Sequence, residues 1–175
     1  MDNKTLFITG GAGFIGSNFI NIFCKKYPNT QVINFDALYY CADENNVEKE
    51  IRVSSKYKFI HGNLQSYDLL KYIFESNDIT HIIHFAAQSH VQNSFTDSIQ
   101  YTKDNVLGTI NTLKFCGLNN IGRIIFASSF AVYGDPIGKE ILTEGDPCNP
   151  ISVYGTSKFA CEKYIKILSK KFDLN

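Results

Sequence analysis

The feature that most constrains this chain is a glycine-rich segment, residues 10–16, which follows an apolar run at 6–8 and opens a stretch with helical spacing. In a strand-turn-helix unit, three spaced glycines allow a sharp turn, close approach of the backbone to a pyrophosphate, and tight packing of helix on strand. Gly10, Gly13 and Gly16 have the spacing for these roles. A glycine triplet alone also occurs in mobile turns, but the flanking pattern favours a dinucleotide-binding turn, with the positive end of the helix directed at the phosphates.

An acidic residue at the end of the next apolar run supports this prediction. The run at 31–35 ends on Asp36, about twenty residues after Gly16, where a dinucleotide-binding unit places an acid for the adenosine ribose hydroxyls. A carboxylate there would repel a 2′-phosphate through like charge. The sequence therefore predicts NAD rather than NADP as the cofactor.

The composition indicates one globular domain without a strongly charged surface. The chain has 175 residues, 44% hydrophobic and 14% aromatic, which is enough for one ordinary core. Lysine plus arginine and aspartate plus glutamate each number 17, so no net field attracts nucleic acid or an anionic membrane. We therefore expect small-molecule chemistry, with neither nucleic acid nor a membrane as partner.

The cysteines and the amino terminus indicate a cytoplasmic protein. The five cysteines are odd in number and lack CxxC or Cys/His ligand spacing, which argues against disulfides and against a metal site. The polar start at residues 1–4 lacks the apolar core of a signal peptide, and no apolar stretch is long enough to span a bilayer. We expect reduced thiols, a cytoplasmic location and no metal.

Apolar runs alternate with segments of helical spacing along the whole chain. Strands are predicted at 5–9, 31–36, 58–61, 81–85 and 123–128. Helices are predicted at 14–26, 66–75, 98–116 and 153–171. The segments 36–55 and 134–152 are predicted to be mostly loop. This alternation predicts an α/β fold, a single domain built on a doubly wound parallel sheet.

A second motif, Tyr154 and Lys158, lies at the start of the last predicted helix. Residues four apart share one helix face. An ammonium beside a phenol favours the phenolate, so this pair can supply a base near neutral pH. Many helices carry the same pair as a packed ring and a solvated amine, but its position after a dinucleotide turn favours the catalytic interpretation. Ser128 and Ser129 end the fifth predicted strand, at the edge where open sheets bind ligands, although such serines also cap strand ends.

Five motifs follow one another in a fixed order, at residues 9–16, 84–91, 105–109, 128–134 and 154–158. With these motifs the chain resembles, over essentially its whole length, the extended short-chain dehydrogenase/reductase family, whose cofactor-binding half has a Rossmann-like fold. Within that family it is similar to the nucleotide-sugar 4,6-dehydratases and 4-epimerases. The segments 36–42 and 86–95 look most like those of the UDP-glucose and dTDP-glucose 4,6-dehydratases.

The resemblance implies roles for individual residues. Tyr154 would be the catalytic base, Lys158 its activator and ribose ligand, and Ser129 the hydroxyl that positions the sugar O4. Ser89 and His90 would line the sugar site. Contacts with NAD are implied at Gly10, Gly13, Phe14, Ile15, Gly16, Asp36, Asn63, Leu64, Phe85, Ala86, Ala87, Asn105, Tyr154 and Lys158.

Departures from the family pattern bear on activity. The dehydratases carry Asp-Glu directly after the Ser129 position, and that pair eliminates water across the sugar C5–C6 bond. This chain has Phe130 and Ala131 there, which can neither donate nor accept a proton, and its strand end is similar to that of an epimerase. Asn63 replaces an aspartate near adenine, and Gln92 replaces another aspartate. Because an amide carbonyl still accepts hydrogen bonds, we expect weakened rather than lost NAD binding.

Members of the family are longer and carry a further domain that clamps the nucleotide-sugar. We therefore expect residues 1–175 to be the NAD-binding domain without a carboxy-terminal substrate domain, either half of a longer protein or a shortened relative. The resemblance also implies a homodimer through the helices at 98–116 and 153–171. The predicted function is that of a dehydratase/epimerase-like NAD-binding domain impaired for dehydration. The alternatives are an active 4-epimerase-like oxidoreductase and a non-catalytic NAD-binding protein.

Overall fold

A parallel sheet of five strands forms the centre of the computed structural model, which describes residues 4–136, 138 and 141–174. The strands are β1 (Thr5–Thr9), β2 (Gln31–Asp36), β3 (Tyr57–His61), β4 (His81–His84) and β5 (Arg123–Phe126). They lie in the order β3-β2-β1-β4-β5, and all pairs are parallel. The predicted doubly wound parallel sheet is confirmed.

The central strand is β1, which is apolar on both faces. Leu6 pairs with Val32 of β2 on one side and with His81 of β4 on the other. Strands β2 and β3 extend the sheet in one direction and β4 and β5 in the other, so the winding reverses between β1 and β4. At such a reversal the carboxyl ends of the strands leave a crevice, where open α/β sheets bind their ligands.

Helices cover the two faces of the sheet. They are α1 (Phe14–Lys26), α2 (Lys49–Arg52), α3 (Tyr67–Ser76), α4 (Val91–Thr96), α5 (Ser98–Tyr101), α6 (Gly108–Leu118) and α7 (Val153–Phe172). A π-helical stretch, Thr102–Leu107, joins α5 to α6, so the helix predicted at 98–116 is one helical run with a wider segment inside it. Among the described residues, no helix combines the length and the apolar character needed to cross a membrane.

The sequence patterns did not predict the short helical elements. The segment 36–55, predicted to be mostly loop, contains a 3₁₀ turn at Glu44–Asn46 as well as α2, and Val47 and Ile51 are buried in the core there. Helix α4 was not predicted either. Elements of three to six residues are too short for the apolar periodicity that reveals a helix.

Two predicted strands end earlier than expected. β4 stops at His84 and β5 at Phe126, because the residues that follow leave the sheet and line the crevice. The described part of the segment 134–152 contains neither helix nor strand, as predicted. Ile137, Lys139 and Glu140 of that loop lie outside the described residues.

The core has two apolar layers, one on each face of the sheet. Phe7 of β1 packs against Phe74 of α3, with ring centroids 5.3 Å apart, and Phe115 of α6 joins the same layer. The neighbouring side chains of β1, Leu6 and Ile8, point the other way and join a layer that includes α1. This alternation buries β1 on both faces, as in a parallel sheet covered by helices.

Candidate active site

A cavity of about 360 Å³ lies at the carboxyl ends of the strands, where the winding reverses. Its wall includes Asp36 and Asn63, which end or follow β2 and β3 on one side of the sheet, and Tyr154 and Lys158 of the last helix, where Lys158 lies over Phe126 of β5 on the other side. The predicted cofactor contacts that line it are Gly10, Gly13, Phe14, Ile15, Gly16, Asp36, Asn63, Leu64, Phe85, Ala86, Ala87, Tyr154 and Lys158.

The three glycines of the turn differ in the space around them. Gly10 has φ +72°, and a Cβ there would lie 2.5 Å from the backbone nitrogen of Ala86, so only glycine fits. A Cβ on Gly16 would collide with the carbonyl oxygen of Gly10. A Cβ on Gly13 would only touch that oxygen, at 3.5 Å, because the position opens into the cavity. The surroundings of Gly10 and Gly16 suit a turn and close helix packing, and the approach of a ligand at Gly13 stays a prediction.

The Asp36 carboxylate is held rigidly beside the glycine turn. Its Oδ2 accepts a hydrogen bond from the Ala12 N–H at 2.9 Å, and its Oδ1 accepts one from the Leu38 N–H at 2.8 Å. The side chain is largely buried but lines the cavity. Each carboxylate oxygen has a further lone pair, so Asp36 can also accept from ligand hydroxyls.

Tyr154 and Lys158 lie on the first turns of α7. The Ser152 hydroxyl caps this helix by accepting from the Gly155 N–H at 2.9 Å, which fixes where the helix begins. Lys158 is almost completely buried, and burial lowers the pKa of its ammonium group to about 8, while Cys161 and Glu162 act in the opposite direction. A lysine that stays buried at this cost is typical of a functional site.

The two serines after β5 have different surroundings. Ser128 lines the cavity and its hydroxyl donates a hydrogen bond to the Glu162 carboxylate on α7. The Ser129 hydroxyl accepts from the Ala131 N–H at 3.2 Å and caps a 3₁₀ turn, Phe130–Val132. Ser129 is not among the described residues that line the cavity, so its role toward a sugar stays a prediction.

Asn105 lies behind the wall of the cavity rather than on it. Its Oδ1 accepts from the Gln88 N–H at 2.7 Å, and its Nδ2 donates to the Gln88 carbonyl oxygen at 3.0 Å and to the Ser157 hydroxyl at 2.9 Å. The side chain is 1% exposed. Asn105 therefore joins the loop after β4 to α7, and it reaches the cavity only through these neighbours.

His84 is a buried residue of the core, as its place on an apolar strand indicates. The Thr109 hydroxyl donates to the Asn105 carbonyl oxygen, so His84 Nε2–H must be the donor to Thr109, at 3.1 Å. The Thr9 hydroxyl then donates to His84 Nδ1 at 2.8 Å. This chain of hydrogen bonds links the end of β1 to the helix that carries Asn105. Burial lowers the pKa of His84 to about 3, so the ring is neutral.

The two residues predicted to line the sugar site differ in their position relative to the cavity. Ser89 lines the cavity. His90 is exposed and caps α4, with Nδ1 accepting from the Asn93 N–H at 3.4 Å, and it is not among the described residues that line the cavity. Contact of His90 with a sugar stays a prediction.

Sequence reasoning did not single out several residues of the cavity wall. Among them are Tyr39, Gln88 and Asp104. Gln88 and Asp104 stand inside or directly beside motifs that carried the resemblance, so their position in the chain was the available signal. The described residues contain no group of three side chains suited to hold a metal ion.

Comparison with known proteins gives one consistent result. A family model described as GDP-mannose 4,6 dehydratase matches residues 7–175. The human dTDP-D-glucose 4,6-dehydratase is 37% identical over 163 residues, which cover 93% of this chain and 46% of that protein. The chain thus spans about half the length of such curated relatives.

Two solved structures extend the comparison to the fold. The dTDP-glucose 4,6-dehydratase of Bacillus anthracis, in complex with NAD, matches this chain with a TM-score of 0.86 and 33% identity. The match covers 98% of this chain and 52% of the Bacillus chain. The UDP-glucose 4-epimerase of Brucella ovis, also in complex with NAD, has a TM-score of 0.87 and 28% identity, with 98% and 50% covered. Both complexes agree with the prediction of NAD as cofactor.

Proposed function

Because the chain belongs to the GDP-mannose 4,6-dehydratase family of NAD-dependent epimerases and dehydratases, we propose that residues 1–175 form its NAD-binding domain and act on a nucleotide-sugar. One observation carries this proposal. A single cavity brings together the glycine turn, the Asp36 carboxylate and the pair of Tyr154 and Lys158. These groups are far apart in the sequence, and the fold brings them to the wall of one cavity.

The cavity fits a dinucleotide. The Gly13 position leaves room for a pyrophosphate, and α1 begins at Phe14, so the positive end of its dipole faces that space. Asp36 would hold the adenosine ribose, and Lys158 the ribose at the other end. When bound, NAD supplies an acceptor for a hydride from the sugar C4.

Tyr154 and Lys158 would supply the base for that step. The phenolate of Tyr154 takes the proton of the sugar hydroxyl, and the Lys158 ammonium stabilises the phenolate by opposite charge. The pKa of Lys158, lowered by burial to about 8, still leaves the ammonium as the main form at neutral pH. The Glu162 carboxylate, which accepts a hydrogen bond from the Ser128 hydroxyl, raises the pKa of Lys158 and so acts against the effect of burial, as Cys161 does.

A specific observation favours redox chemistry without dehydration. Phe130 and Ala131 follow Ser129 in a 3₁₀ turn, and the Phe130 side chain is 87% exposed. Neither side chain supplies the acid and base that elimination of water needs. The second candidate is therefore a 4-epimerase-like oxidoreductase, and a non-catalytic NAD-binding protein is the third.

Thermal unfolding with increasing NAD tests the binding proposal. A ligand that binds only the folded state stabilises it by about 2.7 kcal/mol at a hundred times its Kd, so the melting temperature should rise steadily with NAD concentration. AMP, which carries only the adenosine end of NAD, is the control at the same concentrations. A melting temperature that does not respond to NAD would rule out the proposed function.

Product analysis separates the catalytic candidates. The purified chain is incubated with NAD and UDP-glucose or dTDP-glucose, and products are resolved by chromatography. We expect no 4-keto-6-deoxy sugar, because loss of a positioned acid or base typically costs about a hundred- to ten-thousand-fold in rate. Formation of the C4 epimer would favour the oxidoreductase, and absence of any product would favour the non-catalytic protein. A 4-keto-6-deoxy product at an enzyme-like rate would show that other residues perform the elimination.

Two further parts of the proposal concern assembly and location. Exposed apolar side chains on α7 and on the helical run at 98–118 support a homodimer through these helices, among them Ile99, Leu107 and Ile167. Sedimentation equilibrium tests this, and a monomer at micromolar concentration would contradict it. The free cysteine thiols support a location in the reducing cytoplasm.

A further inference from the structure

Asp104 is a carboxylate on the cavity wall for which the proposed chemistry has no use. Its Oδ1 accepts a hydrogen bond from Gln65 Nε2 at 2.7 Å and a longer one from Asn63 Nδ2 at 3.3 Å. Asn63 Nδ2 also donates to the Tyr39 hydroxyl at 2.6 Å, and Tyr39 in turn donates to Asp104 Oδ1 at 3.4 Å. Three side chains thus converge on one carboxylate oxygen.

The second oxygen of Asp104 is also occupied. Its Oδ2 accepts from Gln100 Nε2 at 2.9 Å and from Gln88 Nε2 at 3.1 Å. Hydrogen bonds to an ionised carboxylate are roughly twice as strong as those between neutral groups. With donors on both oxygens, Asp104 fixes all of these side chains at once.

The donors come from different parts of the chain. Tyr39 follows β2, Asn63 and Gln65 follow β3, and Gln88 follows β4, so one acid ties together the loops of three strands. Asp104 can reach them from the π-helical stretch Thr102–Leu107. π-helical turns are rare and frequently lie at functional sites.

We infer that Asp104 is a positioning residue that holds the walls of the cavity at its adenosine end. Tyr39, Asn63 and Asp104 all line the cavity. Tyr39 and Asn63, which Asp104 holds, follow β2 and β3 on the Asp36 side of the sheet, whereas Lys158 lies against Phe126 of β5 at the opposite edge. By fixing these loops before the ligand arrives, Asp104 lowers the ordering cost of binding. This inference rests on the proposed binding of NAD and names the residue that organises the adenosine half of that site.

The substitution Asp104→Asn tests the inference with the least change in shape. An asparagine has one oxygen and one NH₂ group, so the NH₂ would face donors, and the remaining bonds would lose their ionic character. Calorimetry with NAD and with ADP, which carries only the adenosine end, should show both affinities reduced by a similar factor. We expect about tenfold to a hundredfold weaker binding of each.

Two control variants define the specificity of that loss. Glu48→Gln changes another acid to its amide in the exposed Lys25–Glu48 ion pair, outside the cavity, and should leave both affinities unchanged. Lys158→Met, at the other end of the cavity, should weaken NAD but not ADP. This split in Lys158→Met shows that the two ligands report on the two ends of the cavity separately, and circular dichroism of Asp104→Asn excludes a general loss of the fold as the cause of its weaker binding.

The outcomes distinguish the inference from the proposed function. If the unmodified chain binds neither NAD nor ADP, the proposed function fails. If it binds both and Asp104→Asn binds ADP within twofold of it, the inference is wrong. Should Asp104→Asn fold poorly, Gln65→Ala removes the shortest bond to the carboxylate and should weaken ADP several-fold, and unchanged ADP binding by this variant overturns the inference.

Discussion

The ammonium nitrogen of Lys158 lies 4.1 Å from the centroid of the Phe126 ring, between the edge strand β5 and helix α7. The ring face attracts a cation, but it does not replace the water that burial removes. Burial therefore lowers the pKa of Lys158 from 10.5 to about 8. The folded protein keeps a charge here at a cost to its own stability.

Replacing this lysine should stabilise the fold while removing function. The lowered pKa corresponds to a decrease of about 3 kcal/mol in the free energy of unfolding. This decrease is fully present below pH 8, because the unfolded chain holds the proton more tightly than the folded protein does. As pH rises from 8 to 10.5 this cost disappears. We expect Lys158→Met to unfold at higher urea than the unmodified chain near neutral pH, and to lose this advantage near pH 10.5. An advantage that is independent of pH would contradict the assignment.

A buried neutral histidine should make the fold sensitive to acid. The pKa of His84 is lowered by burial from 6.5 to about 3, so as pH falls through this range the unfolded chain takes up a proton that the folded chain refuses. Stability should therefore fall with pH below 6.5. His84→Leu should be less stable at neutral pH by about 2 to 4 kcal/mol, because it removes the two buried hydrogen bonds that the ring makes with Thr9 and Thr109.

The pH dependence of the free energy of unfolding distinguishes the protonation of His84 from the loss of its hydrogen bonds. Urea unfolding between pH 6.5 and 4 should show a smaller fall in stability for His84→Leu than for the unmodified chain. Carboxylates elsewhere titrate equally in both proteins. Parallel pH profiles would mean that His84 does not resist protonation in the folded state.

Substitutions at two positions of the glycine turn should have different effects, one on NAD binding and the other on folding. Gly13→Val places its side chain in the cavity, where a pyrophosphate would lie, so NAD binding should be lost while the chain still folds. Gly16→Val collides with the Gly10 backbone and should unfold the domain. Circular dichroism and NAD titration of both variants check this. NAD binding by Gly13→Val at normal affinity would place the ligand elsewhere.

The catalytic assignment predicts a separation of activity from binding. Tyr154→Phe retains the ring and removes only the hydroxyl, so any redox activity on a nucleotide-sugar should fall by about a hundredfold or more while the Kd for NAD stays nearly unchanged. Lys158→Ala should reduce both. Normal turnover by Tyr154→Phe would show that the pair on α7 is structural.

The fold and one half of the site were predictable because local patterns determine them. The apolar run of β1, the glycines after it and Asp36 at the end of β2 follow from strand and turn chemistry within 36 residues. Helix α1 has the predicted bounds because its apolar spacing is regular over 13 residues. Such signals do not depend on tertiary contacts.

The remainder depends on contacts between distant segments. The π-helical stretch around Asp104 lies inside a longer helical run and is too short to give a periodic signature of its own. Asn105, predicted to contact the cofactor, bonds Gln88 and Ser157 behind the cavity wall, and its contact with the cofactor stays a prediction. Only the three-dimensional arrangement shows which of two adjacent polar residues faces the cavity.

The most direct test of the central claim is a pair of calorimetric titrations of the unmodified chain, with NAD and with NADP, at the same ionic strength. The Asp36 carboxylate, held by the Ala12 and Leu38 N–H groups at the end of β2, hydrogen-bonds a ribose diol but repels a 2′-phosphate. We predict that NAD binds about tenfold or more tightly than NADP. Equal or tighter binding of NADP would contradict this account of the site.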